Sequence, residues 1–482
     1  MICKRKVLKV GMLTSASALV FSVLASCSQS YYDYFAEVIV SSNTSVLADQ
    51  SFSESSYDGW VKFMKEKGID MPVANTVSQS TGIWRRPGNT TQDFITTYKG
   101  SFASGTDMLI TPGFNHVTAI QSVVADSDYK NNGFLILDSQ VNAPNVASFT
   151  FRAEESGFLS AIATCMFLSA NYETFKKNGS TLKVGGFVGI PLPSTTDYLA
   201  GFQMGVFAYN EKMKTKTNAS YHEVQWVNLG SNITSYSSGS FGVGDGTNKS
   251  RAILESGASA IIPIAGPQTT DAVSVISEKE MNAVVVGVDS AQEFQSVNQS
   301  MPHSPNIVDS NGTKISDPKI IQMSAIKDLE TAVYKTSNAI FNKEDPNNAN
   351  KTGDDVVKGF GFWNIGTLTN GTTGVSDAGL PWIKKFDNSW INESNGKLSI
   401  FANKVKENTF YKLMEEYGYL YDISSWSYGD NYDTIKNELG RIPKVSGLSD
   451  DRAVSKPNEN GSAVDISKGQ QKLNGSNWKL VR

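Results

Sequence analysis

From residue 36 to about residue 344, the chain alternates short apolar runs with longer stretches of helical periodicity. The apolar runs predict seven strands, at 37–41, 108–111, 134–137, 184–188, 260–264, 284–288 and 320–325. The amphipathic stretches predict seven helices, at 55–67, 117–124, 155–169, 195–213, 248–256, 269–278 and 329–341. Several strands are apolar almost throughout, as expected where helices cover both faces of a parallel sheet. The alternation therefore predicts an α/β architecture with parallel sheets.

About 300 residues are more than one hydrophobic core usually accommodates, so the pattern predicts two sheets in two lobes. We assign the first part of lobe 1 to 37–150, lobe 2 to 151–287, and a crossover with completion of the lobes to 288–344. Two insertions, the Ser/Gly-rich 231–249 and the proline-bearing 300–319, are predicted to be exposed loops.

The pattern changes after residue 344, where 345–350 has the composition of a linker. We interpret 345–482 as a C-terminal extension that is partly loosely ordered, above all at 448–475. Within it, 401–417 carries the only good helical pattern.

The first residues have the layout of a secretory signal. Residues 1–26 carry four basic residues, at positions 4, 5, 6 and 9, and continue into an apolar run that ends in Leu-Ala-Ser, directly before Cys27. This ending resembles a bacterial lipobox. The resemblance implies that Cys27 becomes the diacylated first residue of the mature protein and that 27–36 is a tether. The body would then be held on the extracellular face of the cell membrane. The alternative is an ordinary cleaved signal followed by a chance cysteine.

The composition excludes several classes of protein. Of the 482 residues 40% are hydrophobic, which excludes a disordered chain, and the formal charge of −4 argues against a nucleic-acid partner. Three cysteines do not build a disulfide scaffold. The three histidines lack metal-ligand spacing, Cys165 lies on an apolar helical stripe, and no Ser-His-Asp elbow is present. These observations predict a protein that is not an enzyme and uses no metal or cofactor.

Three segments carry a resemblance to a known family: 37–67 (EVIVSSNTSVLADQSFSESSYDGWVKFMKEK), 145–167 (NVASFTFRAEESGFLSAIATCMF) and 283–289 (AVVVGVD). Together they resemble the basic-membrane-protein, or purine-nucleoside-receptor, family of bacterial lipoproteins. The resemblance covers about 36–344. It implies the two-lobed type I periplasmic-binding-protein fold, each lobe a parallel sheet flanked by helices. It also implies capture of a nucleoside, foremost a purine nucleoside, for a permease and an ATPase on other chains.

The same resemblance places two aromatic residues on the base. Phe52, in Asp-Gln-Ser-Phe-Ser-Glu, is expected to stack from the first lobe, and Tyr198 is expected to close the stack from the second. A core phenylalanine and a half-exposed tyrosine at a helix start are the alternatives. Ser53 stands where the family has an asparagine, so any contact it makes would reach less far.

Further candidates follow strands, where ligands gather in open α/β sheets. The resemblance implies that Asp289 accepts hydrogen bonds from ribose hydroxyls and that Lys327 donates hydrogen bonds to them. It also implies that Gly266 lies in a turn whose backbone contacts the ligand. An N-cap, a solvated lysine and a plain turn glycine are the alternatives. Asp138 is expected to reach the base edge and Phe114 to line the rim.

Asp49 either contacts the ligand or caps the loop that presents Phe52. Two other functions stay open on the sequence: a sugar-binding protein of the same fold, and a surface adhesin or antigen that reuses it.

Overall fold

A computed structural model describes residues 36–49, 51–176, 181–215, 221–230, 233–341, 357–368, 370–400 and 456–457. Predictions for the signal 1–26, for Cys27 and the tether, and for 345–350 and 401–417 lie outside these residues. Of 448–475, residues 456–457 are described, and they form a short strand. None of the described helices combines the length and the apolar composition needed to cross a membrane.

The described residues form two main sheets. The first has the strand order β15-β11-β5-β4-β3-β1-β2 and the second has the order β12-β10-β9-β8-β6-β7. The strands are β1 Ala36–Ile39, β2 Trp84–Arg85, β3 Met108–Pro112, β4 Gly133–Leu137, β5 Val146–Phe151, β6 Leu182–Val188, β7 Val224–Trp226, β8 Ala260–Ile264, β9 Val284–Asp289, β10 Ile321–Lys327, β11 Phe362–Gly366, β12 Thr373–Val375 and β15 Lys456–Pro457. A separate hairpin pairs β13 Ile391–Ser394 with β14 Lys397–Ile400. Within the two main sheets, described pairings are parallel except at the edge strands β12 and β15.

Helices cover both sheets. They are α1 Phe52–Glu66, α2 Thr91–Ala103, α3 Val117–Val124, α4 Ala153–Ala170, α5 Tyr172–Phe175, α6 Pro193–Thr215, α7 Thr247–Glu255, α8 Thr269–Glu278, α9 Leu329–Phe341 and α10 Leu380–Phe386. In lobe 1, α1 packs on α9; in lobe 2, α4 packs between α6 and α10. The fold prediction of two parallel sheets flanked by helices is thus confirmed.

The chain crosses between the lobes at three places. These are the junctions β5–α4, β10–α9 and β11–β12. They lie side by side, because Arg152 N donates to Gly366 O at 2.8 Å and Asp328 N donates to Thr372 O at 2.8 Å. The carboxyl ends of the central strands in both lobes therefore face a common cleft.

Residues 357–400 fold differently from the expected extension. β11 pairs with β5 and β12 pairs with β10, so this segment supplies a strand to each sheet. α10 is a helix where none was expected before residue 401. Its seven residues begin with Leu-Pro, and so short a segment gives little periodicity to detect.

Other differences have similar causes. β2 and β7 span only two and three residues, and three of the 13 residues of α2 are threonine, a weak helix former, so none of these elements was predicted. α2 is fixed instead by a capping box between Thr90 and Asp93. Within the predicted loop 231–249, residues 233–236 form a 3₁₀ turn and α7 begins at Thr247.

Glycines allow α4 and α6 to touch. A Cβ atom at Gly201 would lie 2.1 Å from the backbone oxygen of Glu154, and one at Gly157 would lie 2.2 Å from the oxygen of Tyr198. Backbone cannot yield as a flexible side chain can, so only glycine fits at these positions. This close approach places Tyr198 next to the start of α4, which follows the β5–α4 junction between the lobes.

We expect Gly201→Ala to lower the free energy of unfolding by about 1–3 kcal/mol, because the added methyl group forces α6 away from α4. The matched control is Gly100→Ala in α2, where a Cβ atom meets nothing within 4 Å. That change should be neutral or stabilising by about 0.5–1 kcal/mol. Urea unfolding of both variants measures the difference; equal stabilities would contradict the close contact.

Candidate functional site

Lys327 forms the centre of the site, at the carboxyl end of β10. Its side chain is only 2% exposed. Nζ donates to Asp138 Oδ2 at 3.0 Å and to the backbone oxygen of Ser194 at 3.3 Å, and it lies 3.8 Å from Asp289 Oδ1. Asp138 follows β4 of lobe 1, whereas Asp289 ends β9 of lobe 2. One buried ammonium thus pairs with carboxylates from both lobes.

Three aromatic rings surround the same ammonium. Lys327 Nζ lies 5.0 Å from the ring centroid of Tyr198, 5.3 Å from that of Phe52 and 5.8 Å from that of Phe151. Phe52 begins α1 in lobe 1, whereas Tyr198 lies on α6 in lobe 2. The structure therefore brings the two predicted rings to one point from opposing lobes. Phe151 was missed, because a phenylalanine ending an apolar strand carries no sequence signal that separates it from the core.

Tyr198 and Asp289 are also joined directly. Tyr198 is 1% exposed, and its hydroxyl lies 3.4 Å from Asp289 Oδ1 and 3.4 Å from the backbone oxygen of Ala325. Burial raises the pKa of Asp289 to about 6, although the Lys327 ammonium opposes the shift. Asp289 is consequently close to its titration point near neutral pH.

The two site carboxylates share a backbone feature. Asp138 has φ 59° and Asp289 has φ 67°, so both leave their strands in the left-handed region. Aspartate tolerates this conformation better than most residues. Asp289 is thus the last strand residue rather than the cap of a long helix.

Gly266 brings the turn after β8 against lobe 1. Its φ is +47°, and a Cβ atom there would lie 2.8 Å from Ser51 Oγ and 3.8 Å from Asp289 Oδ2. Any larger residue would meet the start of α1. Gly266 therefore lies beside the site, at a direct contact between the lobes, and its backbone contact with a ligand stays a prediction.

Asp49 holds the helix that presents Phe52. Its carboxylate accepts hydrogen bonds from the backbone N–H groups of Ser51, Ser53 and Glu54, at 2.9, 3.0 and 3.1 Å. Burial raises the pKa of Asp49 despite these bonds. Of the two roles expected for Asp49, capping is the one present in the structure; ligand contact by Asp49 or by the buried Ser53 stays a prediction.

Phe114 lies further out, in the turn that follows β3. Its ring meets Phe241 of lobe 2, with centroids 6.1 Å apart and ring planes inclined by 53°. Phe241 belongs to the Ser/Gly-rich segment that the sequence treated only as an exposed loop. Phe114 is thus at the rim, in contact with the opposite lobe.

A second set of charged residues includes Asp197, the residue before Tyr198. Arg152 Nη1 is 3.3 Å from Glu154 Oε1, and both side chains are largely buried. Asp197 is half-buried near them, and desolvation together with the Glu154 charge raises its pKa well above the usual range.

In the described part of the chain, no cluster of three or more His, Cys, Asp or Glu residues has the arrangement to hold a metal ion. Cys165 is fully buried in α4, and burial raises its pKa well above the ordinary value. The thiol is therefore held in its neutral form.

The sequence of residues 36–223 matches the family model described as Bmp, ABC transporter substrate-binding protein PnrA-like. An uncharacterised lipoprotein of Mycoplasma genitalium is 30% identical over 471 residues, covering 82% of this chain and 76% of that protein. The chain belongs to the Bmp family. The family prediction is thereby confirmed.

Other relatives agree with membership of the Bmp family. An uncharacterised lipoprotein of Mycoplasma pneumoniae is 31% identical over 420 residues, which is 72% of this chain but only 62% of that relative's length. A Lactococcus lactis protein named ABC transporter nucleoside-binding protein BmpA is 26% identical over 308 residues, covering 60% of this chain and 75% of that protein.

The fold has a counterpart among solved structures. A solute-binding protein of an ABC transporter system from Aeropyrum pernix superposes with a TM-score of 0.51 at 16% identity, covering 91% of this chain and 99% of that one. At this identity the comparison establishes the fold alone. The Bmp-family chain therefore has the architecture of a substrate-binding protein.

Proposed function

We propose that this Bmp-family protein binds a nucleoside, foremost a purine nucleoside, and delivers it to permease and ATPase subunits on other chains. One observation carries the proposal. Two aromatic rings from opposing lobes, Phe52 and Tyr198, lie about 5 Å from a buried lysine that is paired with two carboxylates. The name of the Lactococcus lactis relative, a nucleoside-binding protein, supports the same ligand class.

The chemistry of a nucleoside fits this arrangement. A base gains about 1–3 kcal/mol from each stacked aromatic contact. Ribose hydroxyls donate well to carboxylates such as Asp289 and accept from an ammonium such as Lys327. No bond is broken in this function, which is capture and release by closure of two lobes.

We extend the proposal to the protein's location. A diacylated Cys27 would anchor the binding domain on the outer face of the cell membrane. The names of the two Mycoplasma relatives, both lipoproteins, support this location. Two acyl chains hold such a body firmly, whereas one chain gives only reversible binding. Metabolic labelling with a fatty acid, compared between the parent chain and Cys27→Ser, tests this part separately.

Thermal unfolding with guanosine, adenosine, inosine or ribose tests the ligand class. At a hundredfold excess over Kd, a true ligand adds about 2.7 kcal/mol to the free energy of unfolding. We expect the purine nucleosides to produce this gain and ribose to produce none. A gain with ribose alone would favour the sugar-binding alternative, and no gain with any of them would contradict the nucleoside proposal.

The raised pKa of Asp289, about 6, predicts pH-dependent binding. The ionised carboxylate is the better hydrogen-bond acceptor. Guanosine affinity should therefore decrease as the pH is lowered, by up to about tenfold for each pH unit below 6. Stability of the free protein responds in the opposite sense. A raised carboxyl pKa favours the folded state at low pH, and that contribution is lost as the pH rises from about 4 to about 6.

Isothermal titration at about pH 5 and about pH 7.5 measures the effect. Asp289→Asn is the matched variant, since it keeps the shape of the side chain but cannot titrate. It should bind more weakly at high pH and show a flat profile. If the parent chain has the same Kd at both pH values, Asp289 does not bind the ligand.

A further inference from the structure

The segment 237–246 of lobe 2, here called the aromatic loop, is built onto the end of β6. Ser238 N donates to Val188 O, and Gly239 N donates to Gly189 O, both at 2.9 Å. Ser237 Oγ donates to Gly189 O at 2.6 Å. The loop therefore extends the sheet at the edge that faces the cleft.

Two buried side chains hold this loop from below. The Gln268 amide donates to Ser240 O at 2.9 Å and to Gly242 O at 3.0 Å, and its oxygen accepts from Ser238 Oγ at 2.8 Å. The Asp271 carboxylate accepts from Gly244 N at 2.8 Å. Gln268 is fully buried and stands two residues after Gly266, the turn that contacts Ser51 and Asp289. The loop is thereby fixed to the same segment that borders the site.

This scaffold presents Phe241 across the cleft. The ring packs on Gly189, where a Cβ atom would lie 2.6 Å from Phe241 Cδ1. On the other side its centroid is 6.1 Å from that of Phe114 in lobe 1. Phe114 has its own support, since the neighbouring Asn115 donates to Ser41 O at 2.8 Å. Each ring is thus held by its own lobe, and the contact between them joins the lobes.

We propose that Phe114 and Phe241 form an aromatic gate that closes the cleft and sets the rate of ligand release. The two rings belong to different lobes, so their contact exists only while the lobes are closed. It stabilises the closed state, and a ligand at Lys327 leaves only after it breaks. The gate therefore acts on the dissociation rate more than on the association rate. The identity of the ligand rests on the proposed function; the contact itself does not.

Stopped-flow displacement of guanosine tests the gate. An aromatic pair contributes about 0.5–1.5 kcal/mol, so Phe114→Ala and Phe241→Ala should each raise the dissociation rate about 2- to 12-fold. The double variant should be no faster than the faster single variant, because the two rings act as one contact. Val243→Ala is the control, since Val243 is 66% exposed on the same loop and should leave the rate unchanged. Unchanged rates in both single variants, or multiplied effects in the double variant, would overturn the gate.

A second measurement needs no ligand. A short bis-maleimide should link the cysteines of Phe114→Cys/Phe241→Cys, and mass spectrometry identifies the joined peptides. Linkage should be slower in Phe114→Cys/Val243→Cys, and guanosine should accelerate it in the first pair. Absence of linkage with and without guanosine would overturn the gate even if guanosine binds. Linkage in a protein that binds no nucleoside would uphold the contact and refute the proposed ligand.

Discussion

Replacing Lys327 by methionine should abolish nucleoside binding and lower the free energy of unfolding by about 3–5 kcal/mol at neutral pH. Methionine keeps much of the apolar stem but removes the charge. Asp138 and Asp289 would then be buried carboxylates without their cation, which lies 3.0 and 3.8 Å away in the parent chain. Losing one partner of a buried pair costs far more than the pair itself contributes.

Two comparisons separate this effect from a general loss of charge. Lys62→Met removes a lysine paired with Glu330, but both side chains are nearly half exposed, so the expected cost is about 0–1 kcal/mol. In Lys327→Met the loss should also shrink as the pH falls, because protonation neutralises the stranded carboxylates. Urea unfolding at several pH values measures both. A loss that does not depend on pH would contradict the electrostatic explanation.

Replacing Phe52 by alanine should weaken guanosine binding about 5- to 150-fold, the equivalent of about 1–3 kcal/mol for one stacked base. The ring begins α1 and faces Lys327 from lobe 1. Its removal leaves one face of the base without an aromatic partner. Isothermal titration with guanosine measures the change.

The controls for Phe52 separate the ring from its bulk. Phe52→Leu keeps an apolar side chain and loses the aromatic face, so it should recover only part of the affinity. Phe294→Ala removes a ring that is 75% exposed and should leave Kd unchanged. If Phe52→Ala binds guanosine as the parent chain does, Phe52 does not stack on the base.

The sequence predicted the central strands and their helices well because these segments are long and strongly patterned. β8 and α8 have the predicted bounds, and α1 begins three residues earlier than expected. Where parallel strands are predicted correctly, the residues that follow them must meet at one edge. This is why Asp289 and Lys327 lie together at the edge of the lobe 2 sheet. Asp138 follows a strand of the lobe 1 sheet and meets Lys327 because the two lobes face each other. The roles of all three toward a ligand stay predictions.

What the sequence did not reveal depends on contacts between distant segments. Phe151 and Phe241 look like ordinary apolar residues until the second lobe is in place. The two possible roles of Asp49 could not be separated, because the three N–H groups that it accepts from are defined only once α1 is folded. Edge strands of two or three residues, such as β12, take their conformation from the strand they join rather than from local pattern.

The junction of β11 and β12 also bears on how the protein can be shortened. A version that stopped at residue 344 would leave β5 and β10 as unpaired edge strands. Their free peptide groups would then favour association between molecules. Glu155 would lose its bonds from Leu368 N at 2.7 Å and Thr373 Oγ1 at 3.0 Å. Designs for crystallisation or sensor use should therefore retain the chain at least through Val375.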